Sequence, residues 1–196
     1  MELRRVCVFC GSNPGTDPTY VTAADATGRL LAERGIGVVY GGGTVGLMGR
    51  VATAAMAAGG EVIGVIPDFL DKVEIAKRDI TSLEVTGSMH ERKARMAELS
   101  DAFVALPGGI GTFEEVFETM TWTQLGVHDK PVGLVDVNGF WAPAAALLDR
   151  AVADGFLALD VRASIIVAPT AAEVVDRFSS WARPRLGKWT ESDVTL

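Results

Sequence analysis

The chain is poor in the residue types that usually announce chemistry. Two histidines and two cysteines are spread over 196 residues. His90 and His128 have no companions at metal-ligand spacing, so surface or capping roles are expected and no metal is called for. Cys7 and Cys10 have the CxxC spacing, but they lie inside the apolar run Val6-Cys7-Val8-Phe9-Cys10. Residues three apart on a strand point to opposite faces, and a redox CxxC opens a helix instead, so both are expected to be buried structural cysteines. No serine or cysteine sits in a nucleophile elbow of the G-x-S-x-G kind. No apolar run approaches the roughly 20 residues of a membrane span. Met1 to Arg5 lead straight into a strand-like run too brief for a signal peptide, so a cytoplasmic location is expected. Basic residues are also in deficit: 18 Lys and Arg against 25 Asp and Glu give a net charge of −7. That balance argues against a general nucleic-acid binder, because phosphate backbones are held by clustered cations. One basic stretch, Arg183 to Lys188, is broken by Pro184 and Gly187 and reads as a solvated tail.

What is present is globular: 48% hydrophobic and 22% charged residues, enough for a substantial core in one domain. Short β runs alternate with amphipathic helical patterns. Strands are predicted at Val6–Cys10, Val38–Tyr40, Val62–Ile66, Ala102–Leu106, Val132–Val135 and Ser164–Val167. Helices are predicted near Pro18–Arg34, Leu47–Ala58, Ser88–Ser100, Thr112–Leu125, Phe140–Asp154 and Ala171–Ser180. Several strands are apolar throughout, as expected when both faces are covered. The pattern implies an α/β fold, a Rossmann-like doubly wound parallel sheet with helices on both faces. A single domain over residues 1–180 and a tail over 181–196 are expected. The span from Pro67 to Thr86 is the least regular and reads as a loop or short helix.

All strands of a parallel sheet end on one edge, and ligands sit there near the point where strand order reverses. Three strand ends carry glycine: Gly11-Ser12-Asn13-Pro14-Gly15, Gly41-Gly42-Gly43-Thr44-Val45-Gly46, and Pro107-Gly108-Gly109-Ile110-Gly111-Thr112. Glycine lets backbone N–H groups approach a ligand, and a following helix favours an anion, typically phosphate. Gly41, Gly43 and Gly46 formally match G-x-G-x-x-G, but after the second strand instead of the first. The acidic residue at the expected spacing, Glu61, opens its strand instead of closing it. A nicotinamide or flavin cofactor is therefore not expected.

Two charged segments accompany these loops. Ser88-Met89-His90-Glu91-Arg92-Lys93 reads as a helix start with a capping box from Ser88 to Glu91. Arg92, Lys93 and Arg95 then place three cations at the wrong end of the helix dipole, which a nearby anionic ligand explains. Thr112-Phe113-Glu114-Glu115 has the same box form, so Glu115 either caps its helix or serves a site. A carboxylate directly behind a phosphate loop fits a substrate with a cationic centre beside it, such as the ribosyl cation formed when an N-glycosidic bond breaks.

At these residues the sequence resembles the LONELY GUY family of cytokinin-activating nucleoside 5′-monophosphate phosphoribohydrolases, which also carry the older label "possible lysine decarboxylase". The resemblance runs from Cys10 to about the strand before Pro169. It rests on Pro107-Gly108-Gly109-Ile110-Gly111-Thr112-Phe113-Glu114-Glu115, fitting PGGxGTxxE, and Met89-His90-Glu91-Arg92-Lys93, fitting MHxRK. Gly46-Leu47-Met48-Gly49 and His128-Asp129-Lys130-Pro131 agree. The resemblance implies a homodimeric hydrolase without a cofactor that splits a purine-type nucleotide into free base and ribose 5-phosphate. Arg92 and Glu115 are its implied catalytic pair. Gly109, Ile110, Gly111 and Thr112 form the implied cradle of the 5′-phosphate, Lys93 adds charge near the nucleotide, and Gly108, Phe113 and Glu114 are implied substrate-binding residues. Met89, Glu74, Thr121, Ser12, Gly42 and Gly43 are implied further substrate contacts. The alternatives are a hydrolase of ordinary nucleotides such as AMP, and a carrier of a nucleotide-containing cofactor that does not hydrolyse it. A dimer face is expected around Met48 and Met120.

Overall fold

The computed structural model describes residues 2–71 and 76–184. Seven parallel strands form one sheet: β1 (Arg5–Phe9), β2 (Gly37–Tyr40), β3 (Val62–Pro67), β4 (Ser82–Thr86), β5 (Ala102–Ala105), β6 (Val132–Val135) and β7 (Ile165–Ala168), in the order β4-β3-β2-β1-β5-β6-β7. The helices are α1 (Pro18–Glu33), α2 (Gly46–Ala57), α3 (Asp68–Asp71), α4 (Met89–Leu99), α5 (Ile110–Leu125), α6 (Ala142–Ala153), α7 (Leu159–Ser164) and α8 (Ala171–Phe178). Chain order runs outward from β1 to β4, then crosses to the other side of β1 and runs outward again from β5. The switch point is therefore the crevice between β1 and β5. None of the described helices is long and apolar enough to cross a membrane.

The two faces of β1 show why the strand is apolar throughout. Val6, Val8 and Cys10 enter the core beneath α1, α2 and α8, whereas Cys7 and Phe9 enter the core beneath α4, α5 and α6. Both cysteines are free and buried, one on each side, as their spacing predicts. Each fully buried large side chain, such as Leu31, Phe103 or Phe178, contributes about 1.5–3 kcal/mol of transfer free energy. On the first face α1 and α2 approach closely because Gly28 has no Cβ, which would overlap the Val51 carbonyl. Met48 and Met120 fill these two cores at 9% and 7% exposure. Their own side chains pack inward, while Phe117 and Leu125 on either side of Met120 are exposed.

Two elements differ from the sequence expectation. The irregular span contains β4, an edge strand with no buried residue and with Val85 exposed, so Ser82-Leu83-Glu84-Val85-Thr86 reads weakly as a strand. α7 is too short to show a period, and Ser164 ends it instead of opening β7. Helix ends follow local capping. Asp17 caps α1 ahead of Pro18, and Ser88 caps α4 through the Glu91 N–H at 3.1 Å while Glu91 accepts from the Gly87 N–H at 2.8 Å. Lys130 binds the C-terminal end of α4 by donating to the Ala97 carbonyl at 2.6 Å, and His128 stacks on Phe103. The His128-Asp129-Lys130-Pro131 run is thus a brace between α4 and the sheet. Trp181 folds back to donate to the Ser164 carbonyl at 2.9 Å, and Arg183 pairs with Asp129 at 3.0 Å. Lys188 lies outside the described residues.

Candidate active site

The three glycine loops follow β1, β2 and β5, which are neighbours in the sheet, so the loops meet at the switch point. They are joined backbone to backbone. Gly11 donates to the Pro107 carbonyl at 3.1 Å and accepts from the Leu47 N–H at 3.0 Å. Gly46 (φ +61) packs on the Ser12 backbone, and Gly108 packs on Thr112 and Gly11, with no room for a Cβ at either. A cleft of about 230 Å³ opens here, lined by Gly11, Ser12, Gly15, Gly108, Gly109 and Phe140 among others.

Gly109 and Gly111 need a different explanation. Neither has positive φ, and a Cβ on either would meet nothing within 4 Å. What their lack of a side chain provides is open backbone at the start of α5. Gly109 is the N-cap and no side chain caps the helix, so the first N–H groups of α5 face outward. Ile110 beside them is 84% exposed. This end of a 16-residue helix has the geometry and dipole for an anion. Thr112 is buried, and the Phe113 ring packs edge-on to Trp141 at 5.6 Å, so both anchor the helix start.

One turn into α5, Glu115 is buried and faces Arg92 of α4, with Arg92 Nη1 to Glu115 Oε1 at 3.2 Å. The capping-box reading of Thr112 and Glu115 is thereby corrected: α5 begins at Ile110, two residues earlier than expected, which carries Glu115 past the first turn and onto the buried face. Arg92 reaches it through the sheet edge. Its Nε donates to the Val65 carbonyl at 3.0 Å, and a Cβ at Gly41 would overlap its guanidinium, so the second glycine loop makes space for this side chain. Met89 completes the seat, its Sδ 3.8 Å from Arg92 Nη1. Burial pushes the Glu115 carboxyl above the usual carboxylate range, Arg92 and Lys93 oppose this, and Glu114 and Glu118 add to it. Lys93 is equally buried, and its ammonium lies between Glu114 at 2.5 Å and Glu118 at 2.9 Å. Burial lowers the Lys93 pKa, but these two hydrogen bonds outweigh it and hold the ammonium above its ordinary value.

The remaining expected residues separate. Gly42 (φ +78) is wedged against Ile66, and Gly43 forms a bridge with Ala76. Ser12 is exposed in the cleft. Thr121 is exposed on α5, eleven residues beyond Ile110 and so roughly 16 Å further along the axis, and its hydroxyl donates to the Phe117 carbonyl. Glu74 lies outside the described residues. Asn138 was not expected. It is the one described non-glycine residue with positive φ (+52), and its amide donates to Asp17 Oδ2 at 3.1 Å and Thr19 Oγ1 at 2.8 Å, tying the loop after β6 to the start of α1. An Asn-Gly pair after a strand was its only signal.

A parallel sheet whose strand order reverses between β1 and β5 defines a Rossmann-like α/β protein, and the open N-terminus of α5 and the buried Glu115–Arg92 pair lie at that edge. The comparisons agree. The sequence model of the family described as "Possible lysine decarboxylase" matches residues 48–178. The chain is 52% identical to the cytokinin riboside 5′-monophosphate phosphoribohydrolase LOG of Oryza sativa subsp. japonica, over 89% of this chain and 72% of that one. It is 46% identical to an Arabidopsis thaliana enzyme of the same description, over 92% and 84%. The chain belongs to this family, the LONELY GUY phosphoribohydrolases. The fold is also that of the molybdenum cofactor carrier protein of Chlamydomonas reinhardtii (TM-score 0.68, 21% identity, 91% and 98% covered).

Proposed function

We propose that this protein hydrolyses the N-glycosidic bond of N6-modified adenosine 5′-monophosphates, cytokinin riboside 5′-monophosphates, to free base and ribose 5-phosphate. The observation that carries this reading is the buried Glu115–Arg92 pair one turn behind an open helix N-terminus. A carrier has no use for a carboxylate at that distance from a phosphate; a ribosyl cation does. The relatives' printed activity supports the same reading.

In this mechanism the N–H groups from Gly109 to Thr112 hold the 5′-phosphate, with Gly108 shaping the turn beneath them. The C1′–N bond breaks and its electron pair leaves with the base, which takes up a proton from solvent. Glu115 stabilises the cation at C1′ and accepts one proton from a water, whose oxygen adds to C1′; Glu115 then returns that proton to solvent, so that one water is consumed and the carboxylate is restored. Arg92 holds Glu115 ionised and orients the ribose. Met89, Glu74, Ser12, Gly42 and Gly43 are assigned to the substrate envelope on family grounds. No resident cofactor is part of this scheme.

We further propose a single hydrolase domain over residues 1–180, acting as a cytoplasmic homodimer on a small-molecule nucleotide. The exposed Ile110, Phe117, Leu125 and Val127 along and just after α5 support association. Thr121 shares that stripe. The net charge of −7 supports a small ligand over a nucleic acid. The test is to incubate the protein with AMP and with N6-isopentenyladenosine monophosphate and to assay both products. Faster release from the modified nucleotide is expected. Release from AMP alone makes this a general nucleotide hydrolase, and binding without release makes it a carrier.

A further inference from the structure

The ion cluster around Glu115 extends beyond the pair used above. From α4 come Arg92 and Lys93; from α5 come Glu114, Glu115 and Glu118; beneath them lies the buried Cys7 of β1 and, on the other face of the sheet just after β1, the buried Cys10, whose thiols burial and the Glu115 charge hold protonated. β6, also against α5, carries Val132-Gly133-Leu134-Val135 and no titratable group. Two buried cations thus face three carboxylates, of which Glu115 is buried, Glu118 partly buried and Glu114 exposed.

Lys93 does not point its ammonium at open backbone. Its side chain is 9% exposed and ends between Glu114 Oε1 and Glu118 Oε1, which lie one helical turn apart on α5. Glu115 sits between these two in sequence. We infer that Lys93 is a positioning residue that keeps Glu115 ionised by neutralising Glu114 and Glu118, and that it does not serve as a phosphate ligand. The inference rests on the proposed hydrolase reading and deepens it. With Lys93 removed, a single guanidinium faces three carboxylates, and the buried Glu115 takes up a proton more readily.

The test is the pH dependence of kcat/KM on N6-isopentenyladenosine monophosphate, with the Glu115 carboxyl followed separately by NMR of 13C-labelled glutamate. In Lys93→Met the acid limb and the carboxyl titration both move up by about one pH unit. KM on the alkaline plateau changes by less than about threefold, because the phosphate contacts remain. Lys93→Arg returns both to the wild-type position. So does Lys93→Met/Glu118→Gln, which removes one charge of each sign. Glu118→Gln alone folds without an unpaired cation and moves both readings down. An unmoved acid limb in Lys93→Met, with KM raised more than about tenfold at every pH, overturns the inference and makes Lys93 a phosphate ligand. An unmoved carboxyl titration in Glu118→Gln overturns it independently. A wild type that releases no base overturns the hydrolase reading, and the NMR titration still decides the role of Lys93.

Discussion

Gly111→Val separates stability from ligand binding at this site. At Gly111 a Cβ meets nothing within 4 Å and the backbone has no positive φ, so the substitution adds a side chain without a clash inside the protein. Within α5 valine is also the better helix former, by a few tenths of a kcal/mol. The folded protein is therefore expected to keep or slightly raise its Tm. The cost falls on the phosphate, which the branched side chain holds away from the N–H groups at the helix start. A charge-assisted hydrogen bond contributes about 1.5–3 kcal/mol, so losing one raises KM or Kd for the nucleotide by roughly 10- to 150-fold. Thermal unfolding and steady-state kinetics on the same preparations read the two effects apart. An unchanged KM with an unchanged Tm would refute the cradle, and a large fall in Tm would show that Gly111 is there for packing.

Two further outcomes follow from the supports of the site. Asn138→Ala loses the bonds to Asp17 and Thr19 while keeping an unfavourable backbone, a loss of about 1–3 kcal/mol measured by urea unfolding; Asn138→Gly is expected to lose clearly less, and equal losses would remove the backbone part of the argument. His128 titrates below its ordinary value because burial, and then Lys130, disfavour the imidazolium. The unfolded chain takes its proton first, so the stabilising preference for neutral imidazole is complete above about pH 6.5 and is lost as pH falls through the lower folded value. The acid loss of stability should be shallower in His128→Phe than in wild type, and parallel pH curves would contradict this.

Much of the fold was legible because β1, β5 and β6 are largely apolar on both faces and each is followed by a glycine-containing turn. β4 was not, since an edge strand with no buried residue looks like a polar loop. The third glycine loop was readable as a turn opening a helix, but the separate duties of its glycines were not: Gly108 is there for packing, whereas Gly109 and Gly111 leave space open. The Arg92–Glu115 contact was reachable only through family resemblance. A local signal nevertheless existed. Arg92 and Lys93 stand on the same buried stripe as Met96, and Glu115 on that of Thr112, Val116 and Thr119. Charges placed where a helix period calls for core residues mark a site, because burial without a partner is too costly to persist. Asn138 escaped notice because its partners lie more than a hundred residues away.

The most direct test of the central claim compares wild type with Glu115→Gln on N6-isopentenyladenosine monophosphate, assaying free base, ribose 5-phosphate and nucleotide binding together. The account predicts stoichiometric release of both products by the wild type. In the variant it predicts a loss of about 10²–10⁴-fold in kcat, with Kd for the nucleotide within a few-fold of wild type. Near-normal release by Glu115→Gln would contradict it.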